Sequence, residues 1–147
     1  MKIQRSWAMP NKQTFEIKPI KELIIRHVAE KRVQKMLVGG AVVIDPFSSI
    51  SKIATITNDL DPAANADCCM EALDFLKSLD GESVDVVLFD PPYSPRQISE
   101  CYKRMGMEVR MADTQNAALY RECRELFNAL ARPGSVCLSF GWNSAGM

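Results

Sequence analysis

At 147 residues, with 47% hydrophobic and 24% charged residues, the chain has the size and composition of one packed globular domain. No apolar run approaches the roughly 20 residues that cross a bilayer, and no leader-like apolar stretch follows the N-terminus, so a cytoplasmic protein without membrane association is expected. Five cysteines without Cys-x-x-Cys spacing read as reduced, packed thiols, and with a single histidine, His27, there is little from which to build a zinc site or a Ser/His/Asp triad.

The net charge is zero but unevenly distributed. Residues 1–38 hold nine Lys/Arg against three Asp/Glu, residues 39–93 hold two against ten, and residues 94–147 hold seven against five. A basic N-terminal segment suits either phosphate contact or a solvated helix face, whereas the acidic middle suits a cationic or hydroxyl-rich ligand.

Residues 1–18 read as an irregular arm containing a short extended piece, Thr14-Phe15-Glu16-Ile17, and residues 19–147 as the core. Pro19 is tolerated in a first helical turn, and Ile20, Leu23, Ile24, Val28 and Met36 recur at helical spacing until Gly39-Gly40. The β-branched run Ala41–Ile44, ended by Asp45-Pro46, predicts a strand buried on both faces. A second strand is expected over Ile53–Ile56, closing on Asn58-Asp59, and a weak third around Cys68–Met70. Helix follows over Ala72–Leu79.

Val84–Phe89 is the clearest strand, and it runs into Asp90-Pro91-Pro92-Tyr93. Two successive prolines cannot sit within a central strand, so that tetrapeptide belongs to the loop beyond its carboxyl end. A short helical piece near Ser99–Met105, an amphipathic helix over Gln115–Leu130, a turn at Pro133-Gly134 and a fifth strand, Val136–Phe140, complete the chain. Such alternation predicts an α/β fold with a doubly wound, mostly parallel sheet, in which ligands sit outside the carboxyl ends of the strands. Asp45, Asp59, Glu71 and Asp90 fall at or just past such ends, so one crevice is expected to gather all four.

These residues resemble the S-adenosylmethionine-dependent amino-methyltransferases, above all the adenine-specific DNA methyltransferases of phages and prophages. The resemblance runs through Trp7-Ala8-Met9-Pro10, Thr14–Ile20, Asp45-Pro46-Phe47, Asn58–Pro62, Glu71–Leu76, Asp90–Tyr93 and Ser139–Asn143. It implies a Rossmann-like sheet, S-adenosylmethionine as cofactor, and methyl transfer to adenine N6 in DNA by direct displacement on a flipped base. Phe15 would pack on the cofactor's methionine part, with Asp45, Pro46 and Phe47 forming the first cofactor loop. Asp59 would accept the ribose hydroxyls. Glu71, with Ala72 beside it, stands where the family usually has Asp reading the cofactor's adenine amino group.

The implied catalytic residues are Asp90, Pro91, Pro92 and Tyr93: the Asp90 carboxylate and Pro91 carbonyl accept hydrogen bonds from the target amine, Pro92 stiffens the backbone, and Tyr93 stacks on the base. Arg96, Lys103, Arg104 and Arg110 would be available to DNA. Less elaborate roles stand beside these: Asp59 as a cap for the helix that follows, Glu71 as first-turn helix charge, Phe15 and Trp142 as core.

Two departures qualify the resemblance. A glycine-bearing turn is expected after Asp45-Pro46-Phe47, and the chain has Ser48-Ser49-Ile50-Ser51 instead. The family's last two strands would begin where this sequence ends, so a C-terminally truncated core with an exposed, dimerisation-prone sheet edge is expected. A non-catalytic binding protein is the alternative from another class. Cytosine-N4 and RNA guanine-N2 methylation remain within the same chemistry, while C5-cytosine methylation is excluded because no Pro-Cys nucleophile occurs.

Overall fold

A computed structural model describes residues 14–92, 94–104, 106 and 116–140. Trp7, Tyr93, Arg110 and Trp142 lie outside these residues, as does the side chain of Arg104. Two compact units are distinguished, Met1–Ala41 and Val42–Met147.

In the first unit Thr14–Glu16 form a 3-10 turn instead of the expected extended piece, and Ile17 hands the chain into helix α1 (Lys18–Lys35). No side chain caps α1. The Ile17 carbonyl accepts the Ile20 and Lys21 N–H groups at 2.9 and 2.8 Å, which closes the turn that local propensity alone would have left extended. Ile24 and Val28, four residues apart, are its buried positions. A second 3-10 turn, Met36–Val38, ends at Gly39, whose φ of +96° is a left-handed conformation that glycine adopts without a Cβ clash. Met36, placed among the inward positions by periodicity, is exposed.

The second unit is α/β: four strands, β1 (Val43–Asp45), β2 (Ile56–Thr57), β3 (Val84–Phe89) and β4 (Ala131–Ser139), form one all-parallel sheet in the order β2-β1-β3-β4. Every residue of β1 and β3 is buried, including Asp45 and Asp85 among their otherwise apolar side chains. The expected third strand is reduced to one parallel bridge between Asn58 and Cys68. Asp67 explains its brevity: its carboxylate binds the Thr57 N–H and hydroxyl at 2.8 and 2.7 Å, taking ladder positions with a side chain.

β4 begins earlier than its apolar run, directly after the helix before it. Pro133-Gly134 interrupts rather than precedes the strand, and the register shifts between the Val84–Ala131 and Val86–Val136 pairs. Gly134, at φ +81°, absorbs the irregularity.

Helices α2 (Ala72–Lys77), α3 (Pro95–Arg104) and α4 (Asn116–Leu130) connect the strands, and α2 packs against α4. The core gathers Ile44, Phe75, Leu76, Val87, Phe89, Cys123, Phe127 and Leu130. Phe89 is its aromatic centre, with edge-on contacts to Tyr120 and Phe127 at 5.3 and 5.1 Å and a tilted contact to Phe47 at 5.9 Å. Burial pushes the Cys123 thiol up to about 12, as expected of a packed and unreactive cysteine. Cys68, Cys69, Cys123 and Cys137 are all unpaired thiols. Among the described residues no helix is long and apolar enough to cross a membrane.

At the amino end of β3 a buried carboxylate pairs with a half-buried arginine. The Asp85 carboxylate accepts from Arg132 Nη1 and from the Val42 N–H, both at 2.9 Å, while Arg132 Nε donates to the Glu82 carbonyl. A central-strand carboxylate is thus matched to a cation and a backbone donor, and ties β3 to β4 far along the strand from the residues considered next.

Candidate functional site

Parallel strands all deliver their last side chains to one edge of the sheet, and here three neighbouring strands deliver carboxylates. Asp45 is the last residue of β1, Asp59 follows β2 by two residues, and Asp90 follows β3 directly. The order β2-β1-β3 puts Asp45 between the other two. Its carboxyl is fully buried and is pushed from 3.8 up to about 8, chiefly by burial, with the Phe47 N–H opposing and the Asp90 and Asp59 carboxylates adding to the rise. The three acids therefore share one electrostatic field, and Asp45 holds a proton near neutral pH. Asp45 Oδ1 accepts the Phe47 N–H at 3.1 Å, while Asp45 Oδ2 and the Ser48 hydroxyl are buried with no hydrogen-bond partner among the described residues.

The loop after β1 is tied to the residues that follow β2. Ser48 N–H donates to the Asn58 carbonyl, Ser49 N–H to Asp59 Oδ2 and Ser51 N–H to the Ser48 carbonyl, at 2.9, 2.8 and 2.8 Å. Ser49 takes φ +47°, the left-handed conformation that a glycine would adopt freely. A serine can therefore follow the backbone path that the resemblance assigns to glycine, at some strain. Asp59 Oδ1 also accepts the Asp61 N–H at 2.8 Å, but the following 3-10 turn (Pro62–Ala64) is capped by Asp61, whose carboxylate accepts the Ala63 N–H at 2.9 Å, and not by Asp59. Pro46 is buried, and Phe47 packs on Phe89, so both contribute to the core as well as to the loop.

Asn58 is the residue that joins these pieces. Completely buried, it donates through Nδ2 to the Pro46 and Met70 carbonyls at 3.1 and 3.0 Å and accepts the Met70 N–H at 3.2 Å. It thereby locks the first loop, the end of β2 and the approach to Glu71 into one assembly. Sequence reading noticed Asn58 only as Asp59's neighbour; a fully polar side chain at the carboxyl end of an apolar run was the available signal.

Glu71 occupies the cap position of α2 but makes no capping bond, and Ala72 behind it is buried. Its Oε1 accepts the Tyr102 hydroxyl at 2.7 Å, a contact across 31 positions that sequence reading missed. Helix α3 starts four residues before the expected Ser99. Ser94 caps it, accepting the Gln97 N–H at 3.2 Å, and Pro95 fills the first turn where its missing N–H costs nothing. Ile98 faces inward. Arg96 is exposed and paired with Glu100 at 2.7 Å, an arrangement that holds its guanidinium above its ordinary pKa, and Lys103 is exposed.

Asp90 is half-buried, Pro91 buried and Pro92 half-buried. Tyr120, unremarked in the sequence, meets Phe89 edge-on, and its phenol is pushed up to about 12 by burial and then by the Asp90 carboxylate. Phe15 is buried in the first unit, within the turn preceding α1. No group of three or more His, Cys, Asp or Glu suited to a metal ion occurs among the described residues. The arrangement is an acidic row of strand ends able to attract cations and to accept ligand hydroxyl and amino hydrogens beside a proline-containing loop. No family model, curated protein or solved structure matches the chain.

Proposed function

We propose that this chain is a Rossmann-like S-adenosylmethionine-dependent methyltransferase acting on adenine N6 in DNA. The observation that carries the proposal is the convergence of Asp45, Asp59 and Asp90 at the carboxyl ends of three adjacent parallel strands, with Asp90 opening the Asp-Pro-Pro-Tyr tetrapeptide. With the Cys68 bridge counted as a strand, the strand order becomes 3-2-1-4-5, the arrangement of doubly wound nucleotide-binding sheets.

The residues fit the cofactor on chemical grounds. Its ammonium and sulfonium cations suit an edge that carries the Asp59 and Asp90 carboxylates, while Asp45, kept protonated chiefly by its burial, offers a neutral hydrogen-bonding group. Each Asp59 oxygen accepts a single backbone N–H and retains a lone pair for a ribose hydroxyl. Glu71 keeps acceptor capacity for a nucleobase amino group. The N–H groups of Phe47, Ser48, Ser49 and Ser51 are already engaged, by Asp45, Asn58, Asp59 and Ser48, so side chains rather than a backbone cradle would hold the ligand.

The bound cofactor supplies an electrophilic methyl group open to direct displacement. An exocyclic amine is a weak nucleophile because its lone pair is delocalised into the ring. The Asp90 carboxylate and Pro91 carbonyl accept its two hydrogens, draw the nitrogen towards tetrahedral geometry and direct its lone pair to the incoming carbon. Pro91 and Pro92 hold the carbonyl in place, and Tyr93 stacks on the extruded base. Exposed Lys103, and Arg96 beside Glu100, would meet backbone phosphates.

Incubation with methyl-tritiated cofactor and adenine-containing DNA should label the DNA. Asp90→Ala should reduce labelling at least about 100-fold while leaving cofactor binding largely intact. Full activity in Asp90→Ala would refute the assigned chemistry. The serine loop, its N–H groups already engaged, favours a second reading, a fold kept as a binding module. Wild-type protein that binds DNA but neither binds the cofactor nor labels DNA would favour that reading.

A further inference from the structure

Glu71 is fixed from two directions. Its backbone follows Met70, whose N–H and carbonyl are both held by the buried Asn58 amide, and its side chain is held by the Tyr102 hydroxyl at 2.7 Å. Tyr102 lies one helical turn after Ile98, which is 3% exposed and marks the inward face of α3, in the helix that follows the Asp90 loop. The carboxylate stands at the cap position of α2 yet makes no bond to that helix. A glutamate has three side-chain torsions to restrain, and a phenol donating to a carboxylate oxygen is a short, charge-assisted restraint.

We infer that Tyr102 is a positioning residue that fixes the Glu71 carboxylate so that it accepts a nucleobase amino group of the ligand. The inference rests on the methyl-transfer reading above. A carboxylate only accepts hydrogen bonds. With Oε1 engaged by Tyr102, Oε2 is left as the acceptor for a ligand donor. The 6-amino group of adenine satisfies it, whereas the 6-oxo group of hypoxanthine opposes one acceptor with another. Tyr102 also accounts for a glutamate at this position, because it restrains the longer arm.

The test is calorimetric titration of S-adenosylhomocysteine and S-inosylhomocysteine into wild type, Tyr102→Phe, Glu71→Gln and the double variant. Wild type should prefer the 6-amino ligand about tenfold, and Tyr102→Phe should bring the ratio towards one. In Glu71→Gln the Tyr102 hydroxyl should hold the amide oxygen and turn its NH2 to the ligand, inverting the preference. The double variant should lose that inversion. A wild-type ratio in Tyr102→Phe, or no inversion in Glu71→Gln, overturns the inference while leaving the methyl-transfer reading intact. Binding of neither ligand by wild type overturns both.

Discussion

Asp45 shows how much one residue's surroundings can demand. Its folded carboxyl keeps a proton up to about pH 8, whereas its ordinary value is 3.8. Between those limits the folded state binds more protons than the unfolded one. Stability from this residue is therefore full below about pH 4 and declines as pH rises through 8, a loss of a few kcal/mol. Asn in this position keeps an oxygen for the Phe47 N–H and has no charge to bury. Urea midpoints at about pH 5 and about pH 8.5 should show Asp45→Asn gaining on the wild type as pH rises; a constant difference would contradict the burial of a protonated acid. Sequence reading placed Asp45 at a strand end, but its protonation depends first on its complete burial and then on Asp90 and Asp59 coming near, which no local pattern records.

Between elements, the first loop, β2 and the approach to α2 depend on Asn58 more than on any strand pairing. β2 has two residues and the next segment one bridge, so ladder bonds are few, and the buried amide replaces them. Asn58→Ala would leave the Pro46 carbonyl and both Met70 backbone groups without that partner. The expected cost is about 3 kcal/mol, read as a lower urea midpoint at unchanged slope. A change below about 0.5 kcal/mol would show that the loop holds itself. β3 was legible in full because a six-residue buried run has no competing pattern, and α4 nearly so because its apolar stripe is long. The shorter elements were misjudged where side chains decided them. Asp67 bonding Thr57 curtails the predicted third strand, and Ser94 with Pro95 starts α3 early. The Glu71–Tyr102 contact was invisible because it joins two helices distant in the chain.

Across the whole second unit, a parallel sheet concentrates chemistry at one edge and mechanical ties at the other. The acids Asp45, Asp59 and Asp90 lie at the carboxyl ends of their strands, whereas the Asp85–Arg132 pair secures the amino end of β3. Alternating apolar runs and helices made that polarity readable from sequence, since the ends of β1, β2 and β3 carried an acid while that of β4 did not. Which acids meet a ligand and which hold loops was not readable: Asp59 does local work for Ser49 and Asp61 while keeping lone pairs for another partner. Whether this edge receives an adenosyl ligand is tested most directly by titrating S-adenosylhomocysteine into the intact chain. The account predicts saturable one-site binding with Kd at or below about 1 mM. No detectable binding at millimolar ligand would contradict it.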